Sequence, residues 1–339
     1  MKKEDKRFFR NKKILVIGGT GTIGKSLVKL ILEQEPEAVR ILSRDEYKQF
    51  RLLNELSGHG KLSCLIGDVR DYERVLAAME DIDYVFHTAA MKHVSFCEYN
   101  PFEAVLTNIV GTHNVIRAAK RQKVQKVVFT STDKAISPTN NYGATKLTAE
   151  KLIASADTLG GRGQTVFCTV RFGNVMGSRG SVIPLFVKQA REGKAITVTD
   201  LSMTRFMMTL EQATKLTVHS LNIAKGGETF ILKMPVIRLQ DLAEVVAEEA
   251  AKRFGVPSAV RIAEIGLKPG EKRYEELMTY EESLSAYELP DVYIVPSPYA
   301  PRQSYGDAGR PEPGTYSSEG ATPLTREQVR ELVLEQNLI

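Results

Sequence analysis

Through the first half of the chain, short apolar runs alternate with stretches whose apolar residues recur every three or four positions. The runs KILVIGG (13–19), VRILS (39–43), LSCLIGD (62–68), DYVFHTAA (83–90), KVVFTST (126–132) and TVFCTVRFGNV (165–175) predict six successive strands. Between them, GKSLVKLILEQ (24–34), YERVLAAME (72–80), PFEAVLTNIVGTHNVIRAAKRQ (101–122) and YGATKLTAEKLIASADTL (142–159) predict amphipathic helices. That alternation makes a parallel sheet covered by helices, an α/β fold of the Rossmann-type, doubly wound kind. After residue 176 the pattern breaks into shorter mixed elements. The expected layout is therefore a dinucleotide-binding domain over 12–176, which some later segments rejoin, and a smaller C-terminal substrate lobe over 177–295. An arm ending in a terminal helix follows over 296–339, because 296–323 holds six prolines and several glycines without periodicity.

Composition narrows the class only a little. The 339 residues exceed the usual size of a single core, and 42% hydrophobic with 26% charged residues suits a soluble enzyme. The formal charge of +5 is spread along the chain, and the basic first 13 residues read as a solvated tail rather than a nucleic-acid surface. No apolar run approaches the ~20 residues of a membrane span, and the start lacks a signal-peptide core. Cys64, Cys97 and Cys168 have no metal-like spacing and suggest reduced thiols in a cytoplasmic protein. The five histidines likewise lack metal spacing, so no metal is expected.

Candidate chemistry begins at GGTGTIG, which follows the first predicted strand and opens the first helix. Gly18-x-x-Gly21-x-x-Gly24, with Thr20, Thr22 and Ile23 between, lets backbone approach a pyrophosphate whose charge sits on the helix N-terminus. At the end of the second strand stand Ser43, Arg44, Asp45 and Lys48. Arg44 suits a ribose 2′-phosphate, with Ser43 and Lys48 in support, which favours NADP; Asp45 leaves NAD as the alternative. Asp68 and Val69 are placed to meet the adenine, and Ala89-Ala90 to line the path to the ribose.

Tyr142 and Lys146 lie one helical turn apart and face one side. In that arrangement the lysine holds the nicotinamide ribose and its charge lowers the tyrosine pKa. Nine residues before the tyrosine, Thr132, Asp133 and Lys134 sit where the fifth strand leaves the sheet. Hydride transfer needs little beyond a hydroxyl there. An acid and a base side by side suit an elimination: oxidation of a sugar at C4 acidifies C5–H, a base takes that proton, and an acid protonates the departing C6 hydroxyl.

STDKAISPTNNYGATKLTAEKL, together with GGTGTIGKSL, SRDEYKQ, GDVRDYERV, HTAAMKHVSFCEYNPFEAVLTNIVGT, VRFGNVMGSRGSVIPLF, MTRFMMTLEQA and GLKPGEKRYEELM, closely resembles the inverting UDP-N-acetylglucosamine 4,6-dehydratases of pseudaminic acid biosynthesis. These are extended short-chain dehydrogenases of the polysaccharide biosynthesis protein family, and the likeness spans roughly residues 12–290. The resemblance implies Lys134 as the C5 base, Asp133 as the acid at C6 and Tyr142 acting at the C4 hydroxyl. It also implies sugar-nucleotide contacts at Lys92, Asn174, Arg205 and Glu271, with Lys268 standing where the family has arginine. Lys92 and Asn108 join the expected cofactor set. UDP-N-acetylglucosamine is the implied substrate, and a dimer or larger homo-oligomer the implied assembly. A C5-retaining dehydratase or a C4 epimerase on the same fold is the alternative, and a non-catalytic NADP-sensing module is the alternative of another class.

Overall fold

The computed structural model describes residues 7–156, 165–178, 180–255, 260–299 and 303–339. The end of the helix expected over 142–159, the first residues of the basic tail and a short piece of the arm lie outside these. The first half runs β1 (Lys13–Ile17), α1 (Thr22–Leu32), β2 (Ala38–Ser43), α2 (Glu46–Glu55), β3 (Leu62–Ile66), α3 (Tyr72–Ala78), β4 (Tyr84–His87), α4 (Val94–Tyr99), α5 (Pro101–Ala104), α6 (Gly111–Arg121), β5 (Lys126–Thr130), α7 (Asn141–Ser155) and β6 (Val166–Arg171). The second half runs β7 (Asn174–Val175), α8 (Val182–Arg191), β8 (Ile196–Val198), β9 (Thr204–Met208), α9 (Leu210–Ile223), β10 (Thr229–Leu232), β11 (Val236–Arg238), α10 (Leu239–Phe254), β12 (Ile262–Glu264), β13 (Glu276–Met278), α11 (Tyr280–Ser285), β14 (Tyr287–Glu288), β15 (Val292–Val295), β16 (Tyr316–Ser317) and α12 (Arg326–Glu335).

The main sheet has the order β14-β15-β10-β6-β5-β4-β1-β2-β3. From β3 to β10 all pairings are parallel; β15 and β14 close the far edge antiparallel. This is the doubly wound arrangement, and its chain reversal between β1 and β4 puts a crevice at the carboxyl ends of the strands. β10 and β15 belong to the sheet although they lie far along the chain. A separate core packs α8 and α10 around Phe186, Val245 and Val246, and takes Val329 and Val333 from α12.

Three local readings change. The run 165–175 is two strands, since β7 leaves the main sheet to pair with β9. The break falls at Gly173, where an added Cβ would lie 2.7 Å from Phe206 Cβ, so only glycine lets β9 cross so close. The helix expected over 101–122 is interrupted by a π-helical segment, Val105–Val110. The charged stretch after β2 is α2, capped by the Asp45 carboxylate accepting from the Lys48 N–H at 2.9 Å; it buries only Gln49 and Leu52, too few apolar positions to show as a period.

The arm is pinned rather than free. β16 pairs with β13, Gly309 bridges to Glu288, and α12 packs on α10 with Arg326 on Glu244 at 2.8 Å.

Candidate active site

A cleft of about 1020 Å³ opens along the carboxyl ends of β1, β2, β4 and β5 and under the smaller lobe. Its floor is backbone. Gly18 sits at φ 83°, and a Cβ there would come within 2.7 Å of Thr88 Oγ1; one on Gly24 would lie 2.4 Å from Gly18 O. The strand and helix therefore meet at contact distance, and no side chain caps α1 at Gly21. First-turn N–H groups beside bare glycine backbone are what a pyrophosphate requires. Thr20, Thr22 and Ile23 line the same wall.

At the end of β2 the polar groups divide their work. Ser43 Oγ accepts from Gln49 Nε2 at 2.9 Å, and Asp45 caps α2 and pairs with Lys48. Arg44, with a side chain 62% exposed, is the guanidinium presented to the cleft, 3.7 Å from Asp68. Partial burial raises the Asp68 carboxyl, but hydrogen bonds from Arg70 at 2.7 and 2.9 Å outweigh it and hold the group below its usual range. Val69, Ala89, Ala90 and Lys92 complete this half of the cleft. Asn108 does not line it. Its side chain accepts from Met91 N–H at 2.8 Å and donates to Met91 O and Thr145 Oγ1, each at 3.0 Å, so the π-helical segment clamps the cleft loop to α7.

Tyr142 and Lys146 come from the first turns of α7, whose N-cap Asn140 also donates to Gly270 O at 2.9 Å. Burial pushes the Tyr142 phenol up to about 12, opposed by the Lys134 charge and a hydrogen bond with Thr132. The cation favouring the phenolate is thus Lys134. Lys146 donates to Thr130 O at 2.7 Å and lies 3.8 Å from the Phe129 ring centre, and burial lowers it to about 7.

Lys134 Nζ donates to Asp133 Oδ1 at 2.9 Å and sits 3.3 Å from Glu275 Oε1. Burial would lower this ammonium, but the two carboxylates outweigh it and raise it above the ordinary lysine value. Asp133 also accepts from Thr132 Oγ1 at 2.9 Å. It is fully buried behind Thr132 and Lys134, which line the cleft while it does not. Gly143, next to Tyr142, packs on this turn so closely that an added Cβ would lie 2.0 Å from Lys134 O. Gly143→Ala should pry the 133–135 turn from α7 and lower turnover by about tenfold or more while cofactor stays bound; wild-type turnover in that variant would show the contact is idle.

From the smaller lobe, Asn174, Lys268 and Glu271 line the cleft. Glu271 Oε2 accepts from Lys268 N–H at 3.1 Å and shapes its own loop. Arg205 also reaches the wall, but its NH1 and NH2 groups donate to the carbonyls of Thr204 and Lys272, each at 2.7 Å, and of Arg273 at 3.1 Å. Its Nε lies 3.8 Å from Glu275. Arg205, an expected sugar-nucleotide contact, thus lines the cleft and also fastens the segment that carries Glu275. Glu275 itself is absent from the sequence reading. The signal was the alternation Glu275–Leu277, which puts a carboxylate on the buried face of β13's approach. Among the described residues no cluster of metal-ligating side chains occurs, and no helix is long and apolar enough to cross a membrane.

A doubly wound sheet, a glycine turn opening its first helix and Tyr-x-x-x-Lys beside β5 define an extended short-chain dehydrogenase. The chain belongs to the family described as polysaccharide biosynthesis protein, whose pattern matches residues 14–297. It is 43% identical over 289 residues to a UDP-N-acetylglucosamine 4,6-dehydratase (inverting) of Campylobacter jejuni, covering 85% of this chain and 83% of that one. It is 39% identical over 340 residues to a UDP-glucose 4-epimerase of Rickettsia canadensis, covering 98% of each. The X-ray structure of Pen from Bacillus thuringiensis superposes with a TM-score of 0.94 at 61% identity, covering 98% of this chain and 99% of that one. The sequence resemblance to sugar-nucleotide dehydratases therefore holds, with enzymes named as epimerases among the relatives.

Proposed function

We propose that the protein is an NADP-dependent dehydratase that converts UDP-N-acetylglucosamine to a UDP-4-keto-6-deoxy-N-acetylhexosamine with inversion at C5. The observation that carries this reading is the ion-paired Asp133–Lys134 turn packed against Tyr142. An epimerase needs only the tyrosine–lysine pair and a ketone that can turn over, and has no use for a second acid–base set on the same wall.

The residues present suit the cofactor: bare glycine backbone at α1 for the pyrophosphate, Arg44 for a 2′-phosphate, Lys146 for the nicotinamide ribose. Held by these residues, NADP would supply the hydride chemistry that links C4 to C6. Tyr142 receives the C4 hydroxyl proton, helped by the Lys134 charge and the Thr132 hydrogen bond. Lys134 then faces C5, where the ketone has acidified the proton it removes.

Incubation with UDP-N-acetylglucosamine in deuterated water tests the whole. The expected product carries one solvent deuterium at C5, the L-arabino ring couplings at the earliest time point, and the original C4 hydrogen at C6. A D-xylo ring would overturn inversion, and a C4-epimerised sugar still bearing its C6 hydroxyl would overturn dehydration. Cofactor choice has its own check. Arg44→Ala should weaken NADP by roughly 10–100-fold, the range for a hydrogen bond to a charged group, and leave NAD unchanged; equal binding of both before and after would remove Arg44 from that role.

A further inference from the structure

Two carboxylates flank Lys134, but only one is on the cleft wall. Asp133 lies behind the lysine, whereas Glu275 lines the cavity opposite it. Glu275 is held there from three sides. Its N–H donates to Ser318 Oγ at 2.9 Å, Ser318 N–H returns a bond to its carbonyl at 2.9 Å, and β13 pairs with β16 immediately after it. Its Oε2 is buried without a hydrogen-bond partner. Asp133 Oδ2 is buried without a partner as well, but of the two residues only Glu275 lines the cleft, where an unpartnered carboxylate oxygen is either a strained defect or a place for a proton.

We propose that Glu275 is the catalytic acid that protonates the departing C6 hydroxyl, with Lys134 as its proton source and Asp133 holding the lysine from behind. This rests on the dehydratase reading. In the resting ion pair Lys134 is an ammonium and cannot take a proton from C5. One proton crossing from Nζ to Glu275 leaves a neutral amine and a carboxylic acid, a base and an acid made in one step. The amine then takes the C5 proton, the C5–H electron pair becomes the C5–C6 double bond, and the C6–O bond breaks. The carboxylic acid's proton leaves with that oxygen as water. Lysine and glutamate return to their charged forms, so the pair is reset without outside acid.

At rest the two carboxylates hold the proton on Lys134, and the acceptor end of the pair is tuned to take it. Burial raises the proton affinity of Glu275, with Lys134 and Arg205 opposing and Asp133 adding to it. Tyr142 is the remaining titratable group on Lys134, and Lys272 is committed to Ile136 O at 2.9 Å and to Glu276 at 3.7 Å. The sequence separation hides the pair: Glu275 reaches Lys134 only because Arg205 and the arm fix the segment after residue 271.

Leaving-group chemistry supplies the test. Fluoride departs without a proton, so the 6-deoxy-6-fluoro analogue of the UDP-sugar bypasses the acid but still needs the base. Glu275→Gln also removes the carboxyl that takes the Lys134 proton, so it should lose water release by ~10²–10⁴-fold, the usual range for a positioned acid, at every pH, and regain fluoride release to within about tenfold of wild type only as rising pH strips Lys134 of its proton. Lys134→Ala should lose both. Glu275→Asp, which keeps a carboxyl but withdraws it from the wall, should slow the natural sugar more than the fluoro sugar, and stands in should the glutamine variant not fold. Equal loss of water and fluoride release in the glutamate variants at high pH, or no loss in either at any pH, would overturn the assignment. A wild-type enzyme that releases neither leaving group would overturn the dehydratase reading and this proposal with it.

Discussion

Lys134→Ala loses UDP-N-acetylglucosamine dehydration by about 10²–10⁴-fold, the usual contribution of a positioned base, and keeps its cofactor. The lysine is 24% exposed on the cleft side and touches Asp133 and Glu275, while the glycine floor and Arg44 lie at the other end of the cavity. Removing it strips the cation from two carboxylates, so one of them takes up a proton and the turn stays intact. Lys146→Ala behaves differently. That side chain holds the strand end through Thr130 O, and its loss weakens cofactor binding along with turnover. Bound cofactor, measured by extraction, separates the two variants. Lys134→Ala retaining more than about a tenth of wild-type activity, less than the smallest loss expected of a base, would move the base elsewhere.

Most of the cofactor half was legible from sequence because its signals are local. Apolar runs fix β1 to β6, and three glycines at fixed spacing mark a turn where backbone must touch backbone. Tyr142, Lys146 and the 132–134 turn lie within 15 residues of chain, so their meeting follows from one strand and one helix. The substrate half depends on contacts between remote segments. Nothing near Arg205 announces that the carbonyls of 272 and 273 will consume its donors, and nothing near Glu275 announces Lys134. A long helical period at 101–122 likewise conceals the π-helical segment, since one extra residue per turn barely disturbs the pattern. The hydrogen bonds by which Asn108 joins the cleft loop to α7 were hidden for that reason.

The same long-range logic governs stability at Arg171, the last residue of β6. Its guanidinium is fully buried, and its five N–H donors each find a partner. Nε and NH2 reach Glu150 of α7 at 3.1 and 2.6 Å; NH1 and NH2 reach Glu282 of α11 at 2.9 and 3.1 Å; NH1 also donates to Leu277 O at 2.8 Å. One side chain thus joins the helix of Tyr142 and Lys146 to the segment that follows Glu275. Arg171→Met leaves two carboxylates without their cation and should destabilise the fold by about 3–5 kcal/mol, the range for a broken buried pair. In a chain of this size that corresponds to a fall in Tm of roughly 5–15 °C. The pH dependence has a definite sign. Burial raises Glu282, but Arg171 outweighs it and holds the carboxyl below its ordinary value, so its stabilisation is present above the unfolded pKa and lost as pH falls through the folded one. In Arg171→Met Glu282 loses the cation that holds it down and burial is left to act on it, so protonating it becomes easier in acid. The deficit against wild type should therefore be largest near neutrality and shrink below about pH 5, where carboxyls begin to protonate. Adding Glu150→Gln and Glu282→Gln should recover most of the loss at neutral pH, because no charge is then left buried and unpaired. A deficit that is independent of pH and untouched by the glutamines would place the damage in packing volume rather than in charge.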